Sequence, residues 1–335
     1  MKLVFMGTPD FAVPALEALH AAGHELALVV SQPDKPKGRH GVMSFPPVKE
    51  KAISLGLPVL QPEKASDPAF LERLRKIAPD AIVVAAYGKI LKQELLDIPR
   101  YGCINIHASL LPRWRGAAPI QWAVIAGDRT AGVTAMQMNA GLDTGDMLLK
   151  REVELAADET GGSLFDRLAA LGGPLIVETL QLAEAGKLEP VPQPEEGMTY
   201  APMLKKEMGD IDWSKPAEEI ERLVRGLCPW PGTYSYLGGK LLKIHRTALL
   251  PEEEAAELQS AAKSEGATAG SSSEAGGEPG SLLLSGGRLF VVCGRGVLEL
   301  LELQLEGKKQ MQTAEFLRGA EHLVREYGRL RQRTM

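Results

Sequence analysis

Two hydrophobic rhythms follow one another along this chain. In the first, short apolar runs alternate with segments of helical period. Lys2 to Met6 reads as a buried strand, "GTPD" as a turn, and Phe11 to Ala22 as a helix with Pro14 in its first turn, where a missing N–H costs little. His24 to Ser31 is a second strand. A helix is predicted around Val48 to Leu55, ending at Gly56, then a strand at Pro58 to Leu60 and a helix over Ala69 to Ile77. "AIVVAA" (Ala81 to Ala86) is apolar at every position, as suits a parallel strand covered on both faces. The alternation continues through Cys103 to Ala108, Pro119 to Ala126 and Val133 to Met138, and a helical pattern from Ser163 to Ala185 closes it. Strand and helix in turn predict an α/β domain on a mostly parallel sheet, with ligands at the carboxyl ends of its strands.

The second rhythm begins after "EPVPQPEEG", a proline-rich linker. Pro216 to Leu227 sets Ile220, Leu223, Val224 and Leu227 at helical spacing. Short strand-like runs follow, "GTYSYL", "KLLKIHRTALL" and "SLLLSGGRLFVVCGRGVLELLELQLEG", broken by Gly-Gly turns and ending in a helical tail. Such a run of short strands suits a small barrel. The expected domains are residues 1–188, a linker over 189–206, and residues 207–335. Inside the second domain, residues 251–280 contain no Val, Ile or Phe, and a disordered surface loop is expected there, with an acidic interaction segment as the alternative.

A length of 335 residues suits two domains, since single cores stop growing at about 250–300 residues. With 44% hydrophobic and 24% charged residues, and no apolar run of membrane-spanning length, a soluble protein is expected. The opening "MKLVFMG" has neither a secretory nor a transit pattern, so the cytoplasm is the expected address. Three separated cysteines, Cys103, Cys228 and Cys293, argue against a disulfide framework or a cysteine metal site. The net charge of −5 is misleading: residues 251–280 hold seven Glu and one Lys, a net of −6, so the rest of the chain carries +1. An anionic partner is therefore not excluded.

Candidate chemistry centres on "CINIHASLLPRWRG". Positions i and i+2 of a strand share a face, so Asn105 and His107 project together while Ile104 and Ile106 fill the other side. An amide and an imidazole at a strand's carboxyl end can donate to a developing oxyanion or move a proton; equally, they can satisfy backbone groups where the strand ends. "NAGLDTGDML" presents Asp143, Thr144 and Asp146 between Gly141 and Gly145. A carboxylate brought to His107 would hold its tautomer and favour the imidazolium, although both aspartates also read as ordinary turn residues. The loop "SQPDKPKGRHGVMSFPPVK" carries Lys35, Lys37, Arg39 and Lys49, a basic run that can follow phosphates or simply face water. The tail from Lys308 is also basic. There is no G-x-x-x-x-G-K-[ST] loop, no G-x-G-x-x-G, no H-E-x-x-H and no G-x-S-x-G, and the six histidines show no metal-ligand spacing.

In combination these motifs are more specific. N-x-H with S-L-L-P and R-x-R-G, then G-L-D-T-G-D-M, resembles the folate-dependent formyltransferases, in particular the branch that acts on methionyl initiator tRNA. "VFMGTPDFAVPALEAL", "QPDKPKGR", "AAYGKIL" and "HASLLPRWRGAAPIQWA" carry the likeness in the first domain, and "YAPMLKKEMGDIDW", "PWPGTY" and "LQLEGKKQM" in the second, from Lys2 to about Gly319. The resemblance implies a Rossmann-like domain followed by a smaller OB-like β-barrel, and a transferase that moves a formyl group from 10-formyltetrahydrofolate to the α-amino group of methionyl initiator tRNA in translation initiation. It implies Asn105, His107 and Asp143 as the catalytic set, with Asn105 and His107 donating to the oxyanion. It places donor binding at Ala86, Tyr87, Gly88, Ile90 and Leu91, and at Leu142, Thr144, Gly145 and Asp146. Ser109, Leu110, Leu111 and Pro112 would shape the site and recognise the donor. Lys35, Lys37 and Arg39 would meet the tRNA, although Val42 and Met43 stand where further lysines are common in the family. The acidic insertion would then point away from the tRNA. No metal, no membrane and a monomer are expected. A sugar-nucleotide amine formyltransferase or a formyltetrahydrofolate hydrolase would share the same catalytic set; the basic loop and second domain favour the tRNA enzyme. An RNA-binding module without catalysis is the reading from another class.

Overall fold

The computed structural model describes residues 1–37, 42–268 and 277–332. The chain divides into two compact units: Met1–Ile120, Arg129–Leu155 and Ser163–Pro202 form one, and Gln121–Asp128, Ala156–Gly162 and Met203–Met335 the other.

In chain order the first part comprises β1 (Lys2–Gly7), α1 (Val13–Ala21), β2 (Glu25–Val30), β3 (Lys35–Lys37), β4 (Val42–Ser44), α2 (Pro47–Ser54), β5 (Val59–Leu60) and α3 (Pro68–Ile77). It continues with β6 (Ala81–Ala85), α4 (Gln93–Leu96), β7 (Cys103–His107), β8 (Arg115–Gly116), α5 (Pro119–Ala126), β9 (Thr130–Gln137), β10 (Met147–Glu154), α6 (Gly161–Glu184) and β11 (Tyr200–Ala201). The main sheet runs β10-β9-β7-β6-β1-β2-β5. From β5 to β7 every pair is parallel; β9 runs antiparallel to β7, and β10 antiparallel to β9. Leu3 to Met6 and Ala81 to Ala85 are almost without solvent contact, which explains their unbroken apolar runs. The helix α3 starts where Asp67 caps it, its carboxylate accepting the Phe70 N–H at 2.9 Å with Pro68 next in line, and Phe70, Leu71 and Leu74 pack into the core.

The strand order reverses between β1 and β6, so the loops after β1, β6 and β7 gather at one edge of the sheet. The Thr8 hydroxyl donates to the Tyr87 carbonyl at 3.1 Å, joining the first two of these loops. Two elements differ from expectation. The long basic loop begins and ends in a hairpin, β3 pairing with β4. The strand β10, unmarked in the pattern, borders the sheet, and only its first residues, Met147 and Leu148, are buried.

The second part comprises α7 (Ala217–Gly226), β12 (Thr233–Leu237), β13 (Lys240–Leu249), α8 (Glu252–Thr268), β14 (Leu282–Ser285), β15 (Arg288–Val292), β16 (Val297–Leu305), β17 (Met311–Gln312), α9 (Thr313–Tyr327) and β18 (Leu330–Arg331). Its strands form one antiparallel path, β14-β15-β16-β13-β12-β18, with β17 paired to β16. Leu282 N–H donates to Gly328 O and Leu330 N–H to Gly280 O, both at 2.8 Å, so the first and last strands of the path meet. The sheet therefore curls on itself as a small barrel and leaves few open edges. Leu289, Val291, Leu298 and Leu300 share its interior with Ile220 and Val224 of α7 and Phe316 of α9.

The acidic insertion is a correction. Disorder was expected over 251–280, but Glu252–Thr268 is helical; residues 269–276 lie outside the described ones. Glu and Ala favour a helix, and three glutamates sit in the first turn, where the helix dipole favours negative charge. Docking supplies the rest: Ala255 and Leu258 cover Leu283, Phe290 and Val292, the residues of β14 and β15 that point away from the barrel interior.

Candidate active site

Cys103, Asn105 and His107 share one face of β7, while Ile104 and Ile106 are buried on the other. Cys103 is sealed in the core, and burial pushes its thiol up to about 12. Asn105 is half-buried, and its side-chain amide has no hydrogen-bond partner among the described residues. It does not tie down the end of the strand.

His107 is only 6% exposed. Its Nε2 lies 2.9 Å from the Trp114 carbonyl oxygen. A carbonyl only accepts, so Nε2 carries the proton and Nδ1 is the free nitrogen. Nδ1 faces Asp143 Oδ2 at 3.7 Å. The same carboxylate oxygen accepts the Gly116 N–H at 2.8 Å. The structure thus brings His107 and Asp143 together across separate loops, with the imidazole held from behind.

The segment after β7 is fastened at several points. Ser109 Oγ donates to Arg113 O at 2.6 Å, Thr134 Oγ1 donates to Ser109 O at 2.6 Å, and Lys150 Nζ donates to Leu111 O at 2.5 Å. Desolvation lowers the Lys150 pKa. Because His107, Thr134 and Lys150 lie in register across β7, β9 and β10, one row of the sheet carries the site and its support. Trp114 N–H donates to Thr199 Oγ1 and Arg115 N–H to Thr199 O, each at 2.9 Å. Four described non-glycine residues have positive φ; three of them, Ala86 (44°), Trp114 (63°) and Asp143 (53°), belong to these loops. Such backbone persists only where surrounding contacts over-determine it.

The loop before β10 is tightly made. Asn139 Oδ1 accepts the Gly141 N–H at 3.0 Å and the Thr144 hydroxyl at 2.9 Å. At Gly145 a Cβ would lie 1.7 Å from the Gln137 carbonyl oxygen, so no other residue fits without moving backbone. Gln193, from the segment after α6, donates through Nε2 to Asp143 O at 2.8 Å and Gly145 O at 2.7 Å, while its Oε1 accepts from Arg115 Nε at 2.9 Å. Gln193, Thr134, Thr199 and Lys150 escaped the sequence reading, because single polar residues in a linker or on strands carry no periodic signal.

The residues proposed to bind the donor separate into two groups. Ile90 is 87% and Leu142 60% exposed, and Ala86 and Gly88 are exposed as well. Tyr87 and Leu91 turn into the core, and burial raises the Tyr87 phenol to about 12. Ser109 and Leu111 are buried, whereas Leu110, Pro112, Thr144 and Asp146 are half-buried and Gly145 is buried. In the basic loop, Lys35 is exposed, with Nζ 3.3 Å from Gln32 Oε1, and Lys37 belongs to β3. Arg39 lies outside the described residues. Lys49 spends its charge locally: Nζ sits 2.7 Å from Asp34 Oδ2 and over the Phe45 ring, and its hydrogen bond holds the Asp34 carboxyl below the usual range. Among the described residues no helix is long and apolar enough to cross a membrane, and no group of three or more His, Cys, Asp or Glu is arranged to hold a metal.

Known proteins share this arrangement of sequence and fold. The sequence pattern of the family described as "Formyl transferase" matches residues 1–180, and that of "Formyl transferase, C-terminal domain" matches residues 203–321. Methionyl-tRNA formyltransferase of Agathobacter rectalis is 52% identical over 320 residues, 95% of this chain and 96% of that protein. Its namesake in Myxococcus xanthus is 50% identical over 319 residues, 95% of each chain. Among solved structures, the N-formyltransferase from Helicobacter canadensis in complex with folinic acid and dTDP-3-aminofucose superposes with a TM-score of 0.63 at 15% identity, covering 90% of this chain and 98% of that one. HypX from Aquifex aeolicus in complex with tetrahydrofolic acid gives 0.59 at 17% identity, covering 97% of this chain and 47% of that one. At such identities these structures speak for the fold alone. By the match to both of its sequence patterns and by identity sustained along the whole length of its relatives, the chain belongs to the formyl transferase family.

Proposed function

We propose that this chain moves a formyl group from 10-formyltetrahydrofolate to the α-amino group of methionine on initiator tRNA, yielding N-formylmethionyl-tRNA for translation initiation. The observation that carries the reading is 52% identity over 95% of the chain to a protein named for that reaction, spanning both domains. The loops after β6 and before β10 carry residues that fit a formylated reduced folate. Ile90 and Leu142 leave apolar side chains uncovered on the two loops assigned to the donor, and the unpartnered Asn105 amide stands at the carboxyl end of β7. When bound, that donor supplies a formyl carbon activated for attack by an amine.

The chain's own residues divide the remaining work. An amine attacks only when neutral, and a free α-amino group titrates at about 8, so a useful fraction is ready at neutral pH. Asn105 donates to the formyl oxygen, where negative charge grows as the amine adds. His107, with Nε2–H committed to Trp114 O, has Nδ1 as its basic nitrogen, and that atom accepts the proton shed by the amine. Asp143, 3.7 Å away, supports the resulting imidazolium. As the tetrahedral adduct collapses, the bond from the formyl carbon to the folate nitrogen breaks, and that nitrogen leaves with the proton returned by the imidazolium. On this geometry His107 donates to the oxygen only after it has been protonated, a narrower role than the paired donation expected from the sequence. Lys35, Lys37 and Arg39 contact the tRNA backbone in this reading.

The test is formyl transfer from 10-formyltetrahydrofolate with methionylated initiator tRNA, methionylated elongator tRNA and a UDP-amino sugar as parallel acceptors. Selective formylation of the initiator is expected. Folate turnover with no formylated acceptor would overturn the reading in favour of hydrolysis.

A further inference from the structure

The segment between α6 and β11, expected from the sequence to be a linker, is tied closely to the candidate site. Val191 exchanges backbone hydrogen bonds of 2.8 and 2.9 Å with Met147 at the start of β10, and Thr199 and Ala201 bond to the backbone from Trp114 to Ala118. Between these anchors sits Gln193, half-buried, 50 residues from the loop it grips. Its amide orientation is unambiguous. Arg115 Nε can only donate and the Asp143 and Gly145 carbonyls can only accept, so Oε1 must face the guanidinium and Nε2 the loop.

We infer that Gln193 is a positioning residue, which holds the backbone on either side of Thr144 so that the Asp143 carboxylate stays against His107; the inference rests on the functional reading above. Asp143 is held at φ 53°, a left-handed conformation that an aspartate leaves readily unless something fixes it. Its own side chain is used at Oδ2 by the Gly116 N–H and by His107. Its backbone is held as well through its carbonyl, and the described partner of that carbonyl is Gln193. Gly145 O, two residues on, is gripped by the same nitrogen, so the loop is pinned at two points by one side chain. Arg115, 9% exposed, anchors the amide from the other side, and its own backbone is tied to Thr199. Gln193 bonds to neither Asn105 nor His107, so it acts through Asp143.

Two variants test this. Gln193→Met keeps the shape and removes all three hydrogen bonds; Gln193→Glu keeps an acceptor for Arg115 but sets a carboxylate against two carbonyls. Both are expected to lower kcat for formyl transfer by about 10- to 100-fold, with KM for donor and acceptor within about twofold of wild type and an unchanged unfolding midpoint. In an Asp143→Asn background, Gln193→Met is expected to cost less than about threefold, because the positioned group is already gone. An unchanged kcat, or an equal loss in both backgrounds, would overturn the proposal. A second readout needs no activity: amide exchange at Gly116, whose N–H is bonded to Asp143 Oδ2, should accelerate in Gln193→Met while that of Arg115 does not. Unaltered exchange at Gly116 would also overturn it. A wild-type chain that transferred no formyl group would remove the functional reading, and Gly116 exchange would still decide whether Gln193 holds Asp143.

Discussion

At the scale of single residues, His107 has one nitrogen to offer and Asn105 one unspent amide, and the chemistry follows from that asymmetry. If Asn105 donates to the growing negative charge as proposed, Asn105→Ala should lose about 10²- to 10³-fold in kcat with an unchanged unfolding midpoint. On the proposed mechanism Asp143→Ala should slow transfer with the fold intact, since its partners are the Gly116 backbone amide and the His107 ring. Steady-state formylation beside thermal unfolding checks both. Another histidine governs stability rather than chemistry. His245 on β13 has a lowered pKa, chiefly through burial, with Lys243 lowering it further and Gln304 and Glu302 opposing, and its Nε2 has no partner among the described residues. Folding favours the neutral ring, so the unfolded chain takes up the proton first as pH falls. The stability His245 contributes is complete above the ordinary imidazole value of 6.5 and is lost as pH falls through the lower folded value. His245→Gln should therefore lose less stability than wild type between about pH 7.5 and about pH 5 in denaturant titrations.

At the scale of elements, the strand β7 was legible because its parity is local: Asn105 and His107 had to share a face whatever surrounded them. Tyr87 and Leu91 show the limit of motif transfer. They lie in the loop assigned to the donor, yet the chain turns both side chains into the apolar core behind it, a choice that only packing makes. The helix α8 was missed for a related reason. Its stretch lacks the apolar stripe of a core helix, and among its described side chains Ala255 and Leu258 make the apolar contact and Glu254 pairs with Arg288, because β14 and β15 already present Leu283, Phe290 and Val292. Ala255 is 6% exposed at that contact. Ala255→Glu would bury an unpaired charge there and should destabilise the second domain by about 1–3 kcal/mol while leaving formyl transfer at low temperature unchanged. Chemical denaturation read beside activity separates the two effects.

At the scale of the whole molecule, charge is segregated rather than scarce. The net of −5 conceals a chain that is nearly neutral outside residues 251–280. Where that charge is free matters more than how much there is: Lys49 is neutralised by Asp34, whereas Lys35 stands exposed. Lys35→Ala should flatten the dependence of tRNA affinity on salt by about one unit of log–log slope, with Lys49→Ala changing it less. Filter binding across a salt series measures this. The two-part architecture and the family were determined by the sequence, which also put forward Asn105, His107 and Asp143 as candidates, because periodicity, residue type and motif order are properties of neighbours along the chain. Which nitrogen of His107 is free, and that Gln193 grips the carbonyls of Asp143 and Gly145, were decided by the tertiary structure alone. Those are hydrogen bonds between residues far apart in sequence, formed only when separate loops are packed together, and no local pattern records them.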